Sequence, residues 1–235
     1  MNELKLSKRL EEVAKSIPKG AMIADIGSDH AYLPCYAYLQ GYIKGAIAGE
    51  ITEGPFQSAV KQVEKTSLTD VIEVRKGDGL AVITPGEVDC ITIAGMGGTL
   101  IQTILEDGKE KLQGVKRLVL QPNIGAHHIR QWLIEHKWSL VDEKIMEDDG
   151  RIYEILVAEQ GDPLGAYGDK VEEGILVGPI LAREKNDAFK KKWNHELAHT
   201  KKIVEQMEKS ATTKEGQEKK KKLENEIRII EEVLS

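Results

Sequence analysis

Three short stretches of this 235-residue chain each close an apolar run with an acid: "ADIGSDHAYLP" (24–34), "AGEI" (48–51) and "KGDGL" (76–80). They supply Asp25, Asp29 and His30 around Gly27, then Glu50, then Asp78 beside Gly79. A single acid at such a place is more often a helix cap than a ligand group. Three in succession ask for a common ligand. A dinucleotide would need glycines spaced G-x-G-x-x-G, whereas Gly27 is followed by Ser28, Asp29, His30, Ala31 and Tyr32. Asp25 and Asp29 would also repel a diphosphate. A ligand with a cationic end suits them better, with the backbone at Gly27 passing close beneath it. S-adenosylmethionine carries a sulfonium and an ammonium and no phosphate. In that assignment Glu50 accepts the ribose hydroxyl protons and Asp78 takes the exocyclic amine of the adenine.

The elements that must position these groups follow from periodicity. Short apolar runs alternate with amphipathic stretches, the pattern of parallel strands joined by crossover helices. An opening helix covers "KLSKRLEEVAKSI", and strands are expected at 21–27, 45–51, 71–77, 89–95 and 116–122. "SLVDEKIMED" and "RIYEILVAE" then follow each other across "DG" with no helix between them, which predicts an antiparallel hairpin. The expected fold class is α/β: a Rossmann-like, doubly wound, mostly parallel sheet with a terminal antiparallel hairpin, plus a C-terminal helical coiled-coil hairpin. In such a sheet ligands bind beyond the carboxyl ends of the strands, which is where the three acids fall.

The domains are expected as 1–162 for the cofactor-binding part, 163–182 for a Gly- and Pro-punctuated linker, and 183–235 for the helices. Helical stretches at 183–210 and 214–234 carry seams of Phe189, Trp193, Leu197, Val204 and Met207, and of Leu223, Ile227, Ile230 and Leu234. These read as an antiparallel coiled-coil pair or as an ordinary helical hairpin packed on the main domain. Charge divides the same way. The chain is −6 in total, but residues from Arg183 onward hold 14 Lys and Arg against 11 Asp and Glu, leaving 19 against 28 before them. The basic part is the tail. The apolar fraction of 40% without a window of roughly 20 apolar residues excludes a membrane span, and the start lacks a signal-peptide pattern, so a cytoplasmic protein is expected. Cys35 and Cys90 stand far apart with no ligand-like spacing, which argues against a disulfide framework or a metal site.

The set "DIGSDHAYLP", "GEI", "GDGL", "IAGMGG" and "LQPN" resembles the bacterial tRNA (adenine-22, N1)-methyltransferase family, within the class I S-adenosylmethionine-dependent methyltransferases. The resemblance runs through the whole chain. It implies a Rossmann-like domain for S-adenosylmethionine, a C-terminal coiled coil, and transfer of methyl to N1 of an adenine in the D arm of tRNA.

The residues agree with a ring nitrogen as acceptor. Where methyltransferases of exocyclic amines carry an (N/D)PP(Y/F) clamp, this chain has Gly95, Met96, Gly97 and Gly98. N1 of neutral adenine has a lone pair and needs no base before attack, so catalysis is mostly positioning. Asp29 is the candidate to stabilise the cationic product and His30 to hold the base or relay a proton; the plainer readings are a cap for a helix starting at Ala31 and a loop histidine. Gln121 and Asn123 either read the adenine edge or tie down the loop around Pro122. Lys190, Lys191 and Lys192, with Lys219 to Lys222, are candidates for tRNA phosphates or else a solvated face. Arg9 is a further candidate at the cofactor or RNA, and His127 and His128 have no assigned chemistry. A small-molecule methyltransferase with a dimerising tail and a non-catalytic RNA-binding protein are the alternatives. Monomer and homodimer both fit.

Overall fold

A computed structural model of the chain describes residues 4–208 and 213–235. Lys209 and Ser210, at the end of the first expected tail helix, lie outside the described residues, as do residues 1–3. Helix α1 (Lys8–Ser16) begins where the Ser7 hydroxyl accepts the Leu10 N–H at 3.4 Å. Then come β1 (Ala21–Ile26), α2 (Tyr32–Leu39), β2 (Ile43–Glu50), α3 (Glu53–Lys65), β3 (Ile72–Lys76), β4 (Cys90–Gly97), α4 (Gly98–Asp107), β5 (Arg117–Ile124), α5 (Ala126–Glu135), β6 (Trp138–Asp148) and β7 (Arg151–Gln160).

The seven strands form one sheet in the order β3-β2-β1-β4-β5-β7-β6. The first five are mutually parallel; β7 is antiparallel to both β5 and β6. The hairpin forms the edge of the sheet as expected, with β7 alone running backwards and β6 outside it running with the parallel set. Strand order reverses between β1 and β4, so the loops after these strands splay apart and leave a crevice. The sheet is buried on both faces. Leu105 of α4 and Ile129, Trp132 and Leu133 of α5 cover one, against Ile47, Ile91 and Ile93; Val13 of α1, Leu33 and Cys35 of α2 and Val63 of α3 cover the other, against Ile23 and Ala46.

The segment expected as a linker is not open chain. It contains α6 (Val171–Val177) and α7 (Leu181–Glu184), and Tyr167 ahead of them is 4% exposed. Gly174 lies inside α6, and Gly178 and Pro179 separate it from α7. Helices α8 (Asp187–Glu208) and α9 (Lys214–Leu234) form the tail. The start of α8, with Phe189 and Trp193, packs on the end of α9, with Ile229, Ile230 and Val233, and both pack on Ile145 of β6 and Val177 and Leu181. The hairpin is thus antiparallel and rooted on the sheet edge. Leu223 and Ile227 of the expected seam are only half-buried, while Ile229 and Val233 are buried in it.

A buried ion network joins these parts. Arg130 of α5 is fully buried; it bonds Glu143 of β6 at 2.8 Å through Nε and also Glu154 of β7, which in turn pairs with Lys192 of α8. Glu143 Oε2 accepts the Ile180 N–H at 3.0 Å, and Arg130 reaches the Ile175 and Leu176 carbonyls at 3.4 Å. One guanidinium therefore holds the domain, the hairpin, the α6–α7 segment and the tail together.

Candidate active site

Strands β1, β2 and β3 end side by side, and each delivers one of the three expected acids to the same rim. Asp25 is 3% exposed in β1. Its Oδ2 accepts the Ser28 hydroxyl at 2.5 Å and its Oδ1 the Thr92 hydroxyl at 2.6 Å. Burial pushes its carboxyl up, partly countered by these two bonds. Both oxygens are engaged from within the chain, so Asp25 shapes the turn after β1 from below. Ser28 and Thr92 escaped the sequence reading, although Thr92 is the one hydroxyl inside the apolar run "CITIAG".

The turn is tightly folded. Gly27 has φ +67°, and a Cβ there would collide with Cε of Met96. Asp29, His30 and Ala31 follow with φ of 40°, 70° and 53°. A run of non-glycine residues in the left-handed region costs on the order of 1–2 kcal/mol each, and such strain persists where surrounding structure over-determines it. Here the Asp29 N–H donates to Glu50 Oε1 at 2.5 Å, clamping the turn to the end of β2. Helix α2 starts only at Tyr32, capped by Ala31 with no side-chain bond. The Asp29 side chain is therefore not a helix cap; it is 76% exposed, with His30 Nε2 3.6 Å away. The His30 ring stacks on Tyr32 at 5.2 Å.

Glu50 is 5% exposed. Burial raises its carboxyl above the usual range, the Asp29 amide lowers it, and Asp25 raises it again. No cation of the described residues is paired with it. Asp78 after β3 is exposed and sits at the start of the 3-10 turn Gly79–Val82 without making a side-chain cap bond, and Gly79 lies against Ile104. The helix-cap alternative for this acid is absent from the structure as well.

The opposite wall is the end of β4 and its junction with α4. Gly95, at φ +80°, is held at both ends: its N–H donates to Gln121 Oε1 at 3.0 Å and its carbonyl accepts Asn123 Nδ2 at 2.8 Å. Gln121 has no exposed surface, its Nε2 donates to the Pro122 carbonyl at 2.8 Å, and its Oε1 also receives Arg9 Nη1. Of the two roles open to Gln121, fixing the loop is the one its burial permits. Asn123 is exposed and fixes the same loop with its amide nitrogen. Arg9 arrives from α1, its guanidinium 5.1 Å over the Tyr153 ring and desolvated enough to lower its pKa.

The lysines of α8 lie elsewhere. Lys191 bonds Glu147 at 2.6 Å, and Lys192 pairs with buried Glu154 and sits 4.6 Å over the Trp193 ring. Lys192 is thus engaged within the protein, while Lys190 and Lys191 are exposed. Among the described residues no group of three or more His, Cys, Asp or Glu is placed to hold a metal ion, and no helix is long and apolar enough to cross a membrane.

Residues 23–232 match the TrmK family model, described as tRNA (adenine(22)-N(1))-methyltransferase. The chain belongs to this family. A TrmK relative, the tRNA (adenine(22)-N(1))-methyltransferase of Bacillus subtilis (strain 168), is 59% identical over 235 residues, covering 100% of this chain and 99% of that protein. The crystal structure of the B. subtilis M1A22 tRNA methyltransferase TrmK matches with a TM-score of 0.96 at 57% identity, covering 99% of this chain and 100% of that one. A Streptococcus pneumoniae protein solved in complex with S-adenosyl-L-methionine matches with a TM-score of 0.86 at 42% identity, covering 98% of this chain and 100% of that one.

Proposed function

We propose that the crevice between β1 and β4 is where this enzyme, a tRNA (adenine-N1)-methyltransferase dependent on S-adenosylmethionine, brings the sulfonium methyl and adenine 22 together. The observation that carries the reading is an unmatched buried acid: Glu50 sits at a strand end, stripped of water, with an amide but no cation as partner. An uncompensated buried carboxylate is costly, and a ligand supplying hydroxyl donors beside a positive charge removes that cost. Exposed, uncapped Asp78 and the glycine turn at Gly27 complete a donor set that fits the cofactor. S-adenosylmethionine, when bound, supplies an electrophilic methyl group.

The division of labour follows from geometry. Glu50 takes the ribose hydroxyls, Asp78 and the backbone near Gly79 the adenine end, and the turn at Gly27 the amino-acid end, with Asp25 holding that turn through Ser28. Gly95 to Gly98 leave room for a base edge. The adenine N1 lone pair forms the new N–CH3 bond as the S–CH3 bond breaks, its electron pair returning to sulfur. The adenine becomes cationic with no proton removed first. Exposed Asp29 stands where a carboxylate would stabilise that charge, and His30 beside it orients the base. Residues 1–162 carry the cofactor site, while the tail at 183–235, basic and rooted by α8, contacts tRNA. Work in the cytoplasm accords with a tRNA substrate.

The test is transfer of labelled methyl from S-adenosylmethionine to unmodified tRNA, followed by nucleoside digestion and mass spectrometry. 1-Methyladenosine is expected, and its absence when adenine 22 is replaced by another base would map the position; label in another nucleoside would refute the assignment of the acceptor.

A further inference from the structure

An adenine stacked in an RNA helix reaches this crevice only after leaving its stack, at a cost of a few kcal/mol. Proteins that open a stack frequently insert an apolar side chain into the gap. Beside the glycine wall the structure has such a side chain. Ile124, the last residue of β5, is 76% exposed, and Leu100, in the first turn of α4, is 52% exposed. Exposed apolar residues are ordinary when scattered. These two are not scattered: Ile124 is the register partner of Gly97, and a Cβ on Gly98 would collide with the Gly125 carbonyl, so both segments meet at the mouth of the acceptor side.

Nor is the loop a loose tip. Gln121 and Asn123, either side of Pro122, grip the N–H and carbonyl of Gly95, and Gly125 at φ +71° turns the chain straight into α5. Ile124 is presented on a frame fixed in advance, as a wedge must be if it is not to lose on ordering what it gains on insertion.

We infer that Ile124, supported by Leu100, is a positioning residue that enters the tRNA stack where the target adenine leaves it and holds that adenine out toward Gly95 to Gly98. The inference rests on the methyltransfer reading above. It gives the β4 and β5 loops one task each: the glycines admit the base, and the isoleucine keeps its place in the helix filled.

The test uses full-length protein, tRNA, and the same tRNA with 2-aminopurine at the target position, whose fluorescence rises on unstacking. Ile124→Ala should slow single-turnover methylation about tenfold, equivalent to ~1.4 kcal/mol on the barrier, and should reduce the fluorescence rise. Ile124→Met should retain both, and Leu100→Ala should show a smaller loss. Affinity for S-adenosylmethionine should stay unchanged in all three. Wild-type rate in Ile124→Ala, a slowed rate with the full fluorescence rise, or a matching loss of cofactor affinity would each overturn the wedge. So would a wild-type dimer that Ile124→Ala converts to monomer, which would give the patch to a second copy. Failure of the wild type to make 1-methyladenosine would instead overturn the underlying reading.

Discussion

The molecule holds two sets of buried acids, and they are treated in opposite ways. At the root of the tail, Glu143 and Glu154 face Arg130 and Lys192, so each carboxylate has a protein cation. At the strand ends, Asp25 has only hydroxyls and Glu50 only an amide. Protonation separates Glu154 from the others: burial outweighs Arg130 at Glu143 and raises its carboxyl, in the same direction as Glu50. Burial tends to raise Glu154, but Lys192 and Arg130 outweigh it and hold the carboxyl at about 2, whereas burial prevails at Glu50 and its carboxyl rises. Acids matched within the chain are architecture. Of the acids left without a cation, Glu50 is the one on which the proposed cofactor site rests.

The largest effect expected from this contrast is at the root. Arg130→Met leaves two buried carboxylates short of a partner and should cost ~3–5 kcal/mol of stability in urea denaturation, with cofactor affinity of the folded fraction unchanged. An equal loss of cofactor affinity would mean the two regions are not separable. Next is the pH dependence. Glu154 lies below its ordinary value of 4.5, so its stabilising contribution is complete above pH 4.5 and is lost as pH falls toward about 2. Glu154→Gln should flatten the stability curve across that window. For Glu50 the sign is reversed: a raised carboxyl binds its proton more readily in the folded state, so its contribution to stability grows as pH falls through its folded pKa, and Glu50→Gln should remove that gain.

Third, Glu50→Gln should weaken S-adenosylmethionine about 10- to 100-fold, the ~1.5–3 kcal/mol of a charged hydrogen bond, while folding stability holds or rises. The smallest effect sharpens the contrast at its exposed end. Asp78 is solvated and uncapped, so Asp78→Asn should cost only a few-fold in affinity by calorimetry, with no change in melting temperature. A loss as large as that of Glu50→Gln would mean that burial is not what gives Glu50 its weight.

The strands and the order of acids along them were legible in the sequence because an apolar run ending in an acid is a local signal. The hairpin was legible for the same reason. Its insertion with β7 inside β6 was not, since that depends on which strand meets β5. Residues 171–182 read as linker because Gly174, Gly178 and Pro179 break the periodicity, and the bonds from Arg130 and Glu143 that order them come from more than 35 residues away. The left-handed run at Asp29, His30 and Ala31 went unread: Asp and His enter that region more readily than most residues, but three in succession ending in Ala do not follow from residue type, and the bond to Glu50 clamps the turn. The root network did leave a trace: Arg130 sits between Ile129 and Trp132 on the apolar face of α5, and Glu154 interrupts the apolar strand "RIYEILV". A charge at a core position is a request for a buried partner.

The most direct test is one calorimetric titration of S-adenosylmethionine into wild type and Glu50→Gln at neutral pH, with melting temperature recorded on the same samples. Affinity at least tenfold weaker in Glu50→Gln, with melting temperature unchanged or higher, is the expected result. Equal affinity in the two proteins would contradict the claim that the unmatched acid at the end of β2 exists for the cofactor.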